Sequence, residues 1–329
     1  MSPSRMEAPL SYEYPNETKE QLEYAELEAL DISKLDQPGG KQALAEQVLQ
    51  TGFFYVVGHG FSDEQVRRQY ALCEAFFELP LEEKLKYACD TAKGDFRGYK
   101  PQSTGKLATR DNDERYNIPK FTPEHERPHP QLIQDHWDEI RAFSLKIHNS
   151  VLLPLLRLFA HVLEIDEDYL AERHRYAAHG LEYLRYMKYH PRTAAADAQA
   201  GNVWAKGHTD YNTLTFLFHQ PVAGLQFLSA GYLRSTVHRV VRPPEDQARR
   251  PRLSLIYFAR PEADILLKPV ASPLLRRLGL QSETEKFARD VTAEKWARAR
   301  IAKDHRFRTG LVDQRETEII AGVNQKYYD

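Results

Sequence analysis

A histidine and an aspartate two residues apart are the first candidates for chemistry in this chain. His208 and Asp210 lie in the run Trp204-Ala205-Lys206-Gly207-His208-Thr209-Asp210-Tyr211. In an extended segment, residues i and i+2 leave the same face of the backbone, so both side chains can reach one ion. His238 lies in a second run of strand-forming residues, from which a neighbouring strand could present its imidazole to that ion. Two imidazoles and one carboxylate are the ligand set of non-haem Fe(II) oxygenases and leave three coordination positions open.

The same three residues allow other interpretations. A zinc hydrolase can use such a ligand set, and in a chain with 13 histidines the spacing also arises by chance. A structural metal would usually be closed off by four protein ligands, often thiolates. The two cysteines, Cys73 and Cys89, are distant in sequence from His208 and His238. An open, reactive metal site is therefore favoured over a structural one.

An arginine and a serine further along the chain could hold an acid. Alternation places Arg252 and Ser254 on one face of a strand, where a guanidinium and a hydroxyl can bind a carboxylate. This arrangement suits an acidic co-substrate that chelates iron. Taken alone, Arg252 could instead be an ordinary surface residue at a strand start, since it follows Arg249 and Arg250.

Further motifs accompany these residues in a fixed order. They are Gly52 to Gly60, Phe76 to Lys84, Arg97-Gly98-Tyr99, Tyr189-His190-Pro191, His208-Thr209-Asp210, Ser235 to Val240 and Arg252 to Ser254. With this combination, the chain resembles the isopenicillin N synthase-like branch of the Fe(II)/2-oxoglutarate-dependent oxygenases. The likeness runs from about Leu27 to about Lys268.

The resemblance implies roles for particular residues. Fe(II) would be held by His208, Asp210 and His238. The co-substrate 2-oxoglutarate would be bound by Arg252, Ser254 and Tyr189. With O2 it would be converted to succinate and CO2 while a C–H bond of a small organic molecule, such as one of secondary metabolism, is hydroxylated, desaturated or cyclised. Some relatives use no 2-oxoglutarate and bind the substrate carboxylate with the same Arg-x-Ser, an alternative that stays open here.

One further side chain is a candidate for substrate contact. The segment Glu114 to Ile118 resembles a strand that lines the pocket in this family, which makes Tyr116 a candidate. A tyrosine in the hydrophobic core is the alternative. The rest of the pocket wall cannot be assigned from sequence, so neither the substrate nor the type of oxidation is predicted.

The second half of the chain is rich in predicted strands. Six are expected, at Leu181 to Tyr189, Val203 to His208, Thr213 to Phe218, Gly224 to Leu228, Tyr232 to Val241 and Leu253 to Ala259. Their spacing indicates a sandwich or jelly roll. With the flanking helices, the fold class is α+β, and the resemblance implies a double-stranded β-helix that carries the metal at its mouth.

The segment between the metal ligands is shorter than the resemblance implies. Only 27 residues separate Asp210 from His238, and about two of the eight family strands are expected to be missing between Leu228 and Tyr232. Ala230-Gly231 could form a tight hairpin there. Missing strands would leave unpaired edges. The alternative to an active oxygenase is therefore a shortened relative that is unstable or acts only by binding.

Helices are expected on both sides of the strands. Ser62 should cap a helix that ends near Glu78, and a long amphipathic helix is expected over Leu132 to Glu164 with a kink at Pro154. Further helices are predicted over Pro273 to Leu278 and Thr292 to His305. The chain divides into a tail (1–26), an α/β region (27–130), buttressing helices (131–178), the jelly-roll core (179–268) and a C-terminal helical region (269–329).

Composition is that expected of a globular enzyme. The 329 residues include 45 basic and 47 acidic ones, so the net charge of −2 predicts neither nucleic acid nor a membrane as partner. No apolar run is long enough to span a membrane, and Met1 to Tyr14 lacks a secretory signal. We expect a cytoplasmic protein with a small-molecule substrate; oligomeric state is not predicted.

Overall fold

A computed structural model of the protein describes residues 10–48, 53–102, 112–227, 236–279, 291–308, 316–320 and 323–326. Helices and a small pair of strands make up most of the N-terminal half. They are β1 (Ala29–Asp31), α1 (Gly40–Val48), β2 (Tyr55–Val57), α2 (Asp63–Glu78), α3 (Leu81–Leu85), α4 (Gln131–Asp135), α5 (Trp137–Ile147) and α6 (Leu153–Val162). Strands β1 and β2 pair in parallel.

Helix α2 begins where the sequence predicts. The Ser62 hydroxyl accepts a hydrogen bond from the Gln65 backbone N–H, and the Gln65 side chain accepts one from the Ser62 N–H, which forms a capping box. Asp63 and Glu64 add negative charge in the first turn, where the helix dipole favours it. The helix ends at Glu78, so both predicted boundaries are confirmed.

The predicted long helix is interrupted rather than continuous. Between α5 and α6 the chain forms a π-helical turn, His148–Leu152, two residues before Pro154. Proline has no N–H to donate and crowds the carbonyl one turn earlier, so the wider turn relieves a conflict that an α-helix would suffer there. Pro154 therefore distorts the helix as predicted, by a π turn on its N-terminal side.

Two antiparallel sheets form the core. Their strands are β3 (Gly98–Lys100), β4 (Asp113–Pro119), β5 (Tyr183–Tyr189), β6 (Val203–His208), β7 (Leu214–Leu217), β8 (Leu225–Phe227), β9 (His238–Val241) and β10 (Arg252–Ala259). One sheet has the order β3-β4-β5-β10-β7 and the other β6-β9-β8. A short helix, α7 (Ala194–Gln199), connects β5 to β6. The six strands predicted for the second half are all present, and the α+β fold with a jelly-roll core is confirmed.

Side chains on the two central strands alternate between two environments. On β5, Leu184 and Tyr186 are buried in the main hydrophobic core with residues of α2. On β10, Leu253 and Leu255 belong to the same core. The intervening residues point to the opposite face of the sheet because the side-chain period of a strand is two. That opposite face lines the cavity described below.

Each sheet ends on a short strand among the residues that the structure describes. Strand β7 is last in the five-stranded sheet, and β8 is last in the three-stranded one. The predicted loss of two strands between Leu228 and Tyr232, and the hairpin at Ala230-Gly231, lie outside the described residues. The described strands show that β9 pairs with both β6 and β8.

The C-terminal region combines helices with a strand pair. Helix α8 covers Pro273–Arg277 and α9 covers Ala293–Arg308, as predicted. They are followed by β11 (Glu316–Ile320) and β12 (Val323–Lys326), which pair antiparallel. The region predicted as helical therefore also contains a strand pair that was not predicted, and the isoleucines and threonine of β11 are residues that favour strands. Among the described helices, none is both long and apolar enough to cross a membrane.

Candidate metal centre and adjoining cavity

Strand pairing brings the three predicted metal ligands together. His208 is the last residue of β6 and His238 the first of β9, and the two residues are directly paired in the antiparallel ladder. Their ring centroids are 4.4 Å apart. Asp210 follows β6, with its Oδ1 atom 3.7 Å from His208 Nε2. One ligand atom from each of the three residues lies within 4.8 Å of the other two.

Backbone carbonyls fix the orientation of both imidazole rings. His208 Nδ1 donates to the Lys206 carbonyl at 2.9 Å, and His238 Nδ1 donates to the Thr236 carbonyl at 3.1 Å. With the proton on Nδ1, each ring keeps its Nε2 lone pair for a metal. Each histidine thus hydrogen-bonds the carbonyl two residues before it, so Nε2 is the nitrogen of each ring that could coordinate a metal.

The carboxylate between the histidines is held in its charged form. Burial by itself raises the pKa of Asp210, but the nearby His238 and His208 and a hydrogen bond from Thr215 outweigh burial and lower it below the usual value. An ionised carboxylate is the form that coordinates a metal. Two nitrogens and one oxygen that converge from one side fit an octahedral divalent ion with open positions.

The open side of this triad faces a cavity of about 740 Å³ between the two sheets. Its wall includes the three candidate ligands together with the predicted co-substrate residues Tyr189, Arg252 and Ser254. All six residues assigned from the resemblance to the metal and the co-substrate therefore line one cavity.

Arg252 and Ser254 are both buried and are hydrogen-bonded to each other. Arg252 is 5% exposed and Ser254 1% exposed, and Arg252 Nη1 donates to Ser254 Oγ at 2.7 Å. Arg252 Nε donates to the Val222 carbonyl at 3.2 Å. Burial lowers the pKa of Arg252, whose described partners are neutral. A buried guanidinium with neutral partners is suited to receive an anion.

Tyr189 lies directly opposite Arg252 in the β5–β10 ladder. The Arg252 guanidinium carbon is 5.8 Å from the centroid of the Tyr189 ring. Burial, with a contribution from Asp113, raises the pKa of Tyr189 to about 12. Its phenol is therefore protonated at neutral pH and can donate a hydrogen bond to a ligand beside Arg252.

Tyr116 lies outside the cavity. It is 0% exposed, stacks on Phe76 with ring centroids 4.1 Å apart, and its hydroxyl is 2.6 Å from His129 Nδ1. Its neighbour Arg115 lines the cavity instead, because successive residues of β4 point to opposite faces. Tyr116 occupies the core, which was the alternative considered from sequence, and we do not retain it as a substrate contact.

The cavity also contains residues that sequence reasoning did not identify. Arg185 on β5, Tyr211 after Asp210 and Arg300 on α9 all line it. The alternation of β5 could have revealed Arg185, which lies four residues before Tyr189 on the same face. No local pattern identifies Arg300, because its place depends on how α9 packs against the core.

Comparison with known proteins shows similarity to non-haem dioxygenases. Residues 27–139 match the family model described as the N-terminal region of a non-haem dioxygenase in morphine synthesis. The chain is 28% identical over 291 residues to the 2-oxoglutarate-dependent dioxygenase frbH of a Dothideomycetidae species, covering 77% of this chain and 87% of the relative. It is 30% identical over 220 residues to leucoanthocyanidin dioxygenase 1 of Oryza sativa, covering 63% of this chain and only 58% of that relative.

The fold has counterparts among solved structures. A full-length protein of Neurospora crassa, solved in complex with alpha-KG, superimposes with a TM-score of 0.69 at 22% identity, covering 84% of this chain and 96% of the fungal one. Together with the sequence relatives and the His-Asp-His triad, this match shows that the chain is similar to Fe(II)/2-oxoglutarate-dependent oxygenases. It is a non-haem dioxygenase whose cofactors are Fe(II), 2-oxoglutarate and O2.

Proposed function

We propose that His208, Asp210 and His238 bind the Fe(II) of this dioxygenase. The observation that carries this assignment is the convergence of their ligand atoms to within 4.8 Å at the wall of the cavity. Both histidines have Nδ1 occupied by a carbonyl, so Nε2 is the ligand atom in each. Asp210 supplies the negative charge that partly neutralises a divalent ion.

Arg252, Ser254 and Tyr189 bind 2-oxoglutarate in this proposal. The far carboxylate of the keto acid would pair with the Arg252 guanidinium, with Ser254 and Tyr189 as hydrogen-bond donors. A buried pair of carboxylate and guanidinium is strong only when the two groups meet in good geometry. The hydrogen bond from Arg252 to Ser254 Oγ holds the guanidinium in position for such a pair.

The reaction is the oxidation of a C–H bond in a small organic molecule. Iron and 2-oxoglutarate, when bound, supply an oxidation by O2 that is coupled to release of succinate and CO2. The residues of the chain position the reactants and restrict water. Trp204 on β6 is 0% exposed, and with Met187, Ala205 and Val240 it forms an apolar cluster between the two sheets. This cluster shields Tyr189 and strengthens the electrostatic interactions around it.

An inactive, shortened relative is the alternative function. It would require that the short segment after β8 prevents the metal ligands from assembling. The described pairing of His208 with His238 depends on β6 and β9, and β8 adds a second ladder on the other side of β9. The three ligands are therefore assembled by strands that are present, which favours the active enzyme.

Decarboxylation of the co-substrate tests this function without knowledge of the substrate. Purified protein with Fe(II), ascorbate and 2-oxoglutarate labelled at C1 should release labelled CO2 in air and form succinate in equal amount. Asp210→Ala, which removes one ligand, should reduce both to background. Equal release by the parent and by Asp210→Ala would contradict the assignment of the metal ligands.

A further inference from the structure

A cluster of arginines lies at one side of the cavity and has no role in the function proposed so far. Arg185 on β5 and Arg300 on α9 line the cavity itself. Arg260, just after β10, lines an adjoining cavity of about 180 Å³. The three guanidiniums alternate with two aromatic rings, Tyr183 and Tyr211.

Distances define this arrangement. The guanidinium carbons of Arg185 and Arg260 lie 5.2 and 5.1 Å from the Tyr183 ring centroid. Those of Arg260 and Arg300 each lie 4.9 Å from the centroid of Tyr211. Because Tyr211 directly follows Asp210, the cluster adjoins the loop that carries a candidate metal ligand. Arg300 Nη2 also donates to the Thr209 carbonyl at 3.4 Å.

The charges of these arginines are poorly compensated by the protein. Arg260 and Arg300 are only 4% and 5% exposed. Within the described residues, neither they nor Arg185 have a carboxylate in ion-pair contact, whereas Arg115, Arg175 and several other arginines do. Arg185 donates to Asn117 Oδ1 and the Tyr183 hydroxyl, and Arg260 to Asn212 Oδ1.

Two guanidinium nitrogens of the cluster also lack a hydrogen-bond partner within the described part of the chain. Arg300 Nε and Arg260 Nη2 are buried and have no hydrogen-bond partner among the described atoms. Burying a charge is costly unless it is paired and hydrogen-bonded. A group that supplies negative charge and acceptor oxygens would satisfy both requirements, and a carboxylate does so.

The cluster is separate from the proposed co-substrate site. Arg252 is paired with Tyr189 in the β5–β10 ladder, and Ile256 is paired with Arg185. The two pairs are four residues apart, which corresponds to about 13 Å along the strands. The cavity thus has Arg252 at the co-substrate end and the Arg185–Arg300 cluster at a distance that leaves room for a second ligand. Arg115, which also lines the cavity, is already paired with Asp113.

We propose that the organic substrate is an acid whose carboxylate is bound by Arg185 and Arg300, with Arg260 held behind Tyr211 to reinforce the positive charge. The inference rests on the proposed oxidation of a small molecule in this cavity and specifies its chemical class. The remainder of the substrate is apolar, since Phe53, Phe54, Phe159 and Phe216 line the same cavity.

Matched pairs of acids and amides test the proposal by binding rather than turnover. The probes are a panel of arylalkanoic and alkanoic acids, each with its primary amide, titrated by calorimetry into anaerobic protein with Fe(II) and saturating 2-oxoglutarate. Saturation keeps the probes away from Arg252. At least one acid should bind roughly tenfold or more tightly than its amide. If no acid in the panel binds more tightly than its amide, the proposal is overturned.

Three substitutions identify the residues responsible. Arg185→Gln and Arg300→Gln should each reduce the preference for the acid by roughly tenfold to a hundredfold. Arg298→Gln is the matched control on α9, because Arg298 pairs with Glu294 and does not line the cavity. A preference that survives both cavity substitutions contradicts the assignment.

Folding and co-substrate binding are controlled separately. Arg300→Lys keeps the positive charge, so it should retain part of the preference for the acid even if Arg300→Gln fails to fold. If a folded Arg300→Lys protein binds 2-oxoglutarate normally but loses the preference completely, a charge-based role for Arg300 is contradicted. The visible charge-transfer band that should appear when 2-oxoglutarate is added to the Fe(II)-loaded protein reports on the proposed function. If that change appears but acids show no advantage, only the substrate class is wrong.

Discussion

His208 and His238 face each other across the β6–β9 ladder, with ring centroids 4.4 Å apart. The register of this one ladder decides whether both imidazoles reach the same point. Side chains alternate faces along a strand, so a slip of one residue would turn His238 away from His208. The candidate metal centre therefore depends on the pairing of two short strands that meet at their ends.

Thr215 should position the carboxylate ligand. Its hydroxyl hydrogen-bonds Asp210, and we expect Thr215→Val, which keeps the shape but removes the hydroxyl, to weaken Fe(II) affinity roughly tenfold. Anaerobic titration with Fe(II) measures the effect. Thr213→Val is the matched control, since the Thr213 hydroxyl contacts His174 at 2.8 Å instead. Equal affinities in the two variants would show that Thr215 does not orient Asp210.

Arg252 should determine affinity for 2-oxoglutarate. Arg252→Lys keeps the charge but loses the planar fork, and we expect the dissociation constant of 2-oxoglutarate to rise roughly tenfold to a hundredfold. Fe(II) affinity without 2-oxoglutarate should be unchanged, because Arg252 is not a ligand. Isothermal titration with each ligand separates the two effects. A variant that binds 2-oxoglutarate normally would assign its carboxylate to another residue.

Tyr116 should affect stability but not substrate binding. Tyr116→Phe removes the hydrogen bond to His129, 2.6 Å away, and leaves the stacking on Phe76. We expect the free energy of unfolding to fall by about 1 kcal/mol. Urea unfolding measures that change, and the rate of 2-oxoglutarate decarboxylation should match the parent. A large loss of activity with unchanged stability would return Tyr116 to the active site.

Glu114 should make the protein sensitive to acid. The 4% exposed carboxylate is 2.8 Å from Lys84 Nζ, 2.7 Å from the Tyr99 hydroxyl and 3.0 Å from His190 Nε2. Burial by itself raises its pKa, but the hydrogen bonds of His190, Lys84 and Tyr99 outweigh burial and lower the pKa from 4.5 to about 2. The folded state therefore binds this proton more weakly than the unfolded state does.

The resulting stabilisation is present above pH 4.5 and is lost as the pH falls towards about 2. Glu114→Gln should flatten this part of the stability profile. It should also cost about 3 kcal/mol at pH 7, because Lys84 loses its partner while buried. Unfolding in urea at pH 7, 5, 4 and 3 compares the two proteins. An unchanged slope below pH 4.5 in the variant would contradict the pKa given for Glu114.

Much of the fold was predictable because its local patterns are strong. The cap at Ser62 and the alternation along β5 and β10 each follow from residues close in sequence. The β11–β12 pair was missed because a short strand pair at a chain end has little periodicity to distinguish it. The π turn before Pro154 was missed because sequence predicts a distortion at proline but not its form.

The candidate site was predictable only where a motif marks it. His208 and Asp210 share a face through their spacing, and the resemblance supplied His238, Arg252 and Tyr189. Arg185 and Arg300 carry no motif. They enter the cavity from strand β5 and helix α9, so only the tertiary structure brings them together.

Anaerobic titration with Fe(II) and then 2-oxoglutarate tests the central claim most directly. If His208, Asp210 and His238 hold the iron and Arg252 the keto acid, a visible charge-transfer band should appear with one equivalent of each. The band should be absent in His208→Ala and should require more 2-oxoglutarate in Arg252→Lys. A folded parent protein that gives no band, or a His208→Ala variant that gives the same band, would contradict the account.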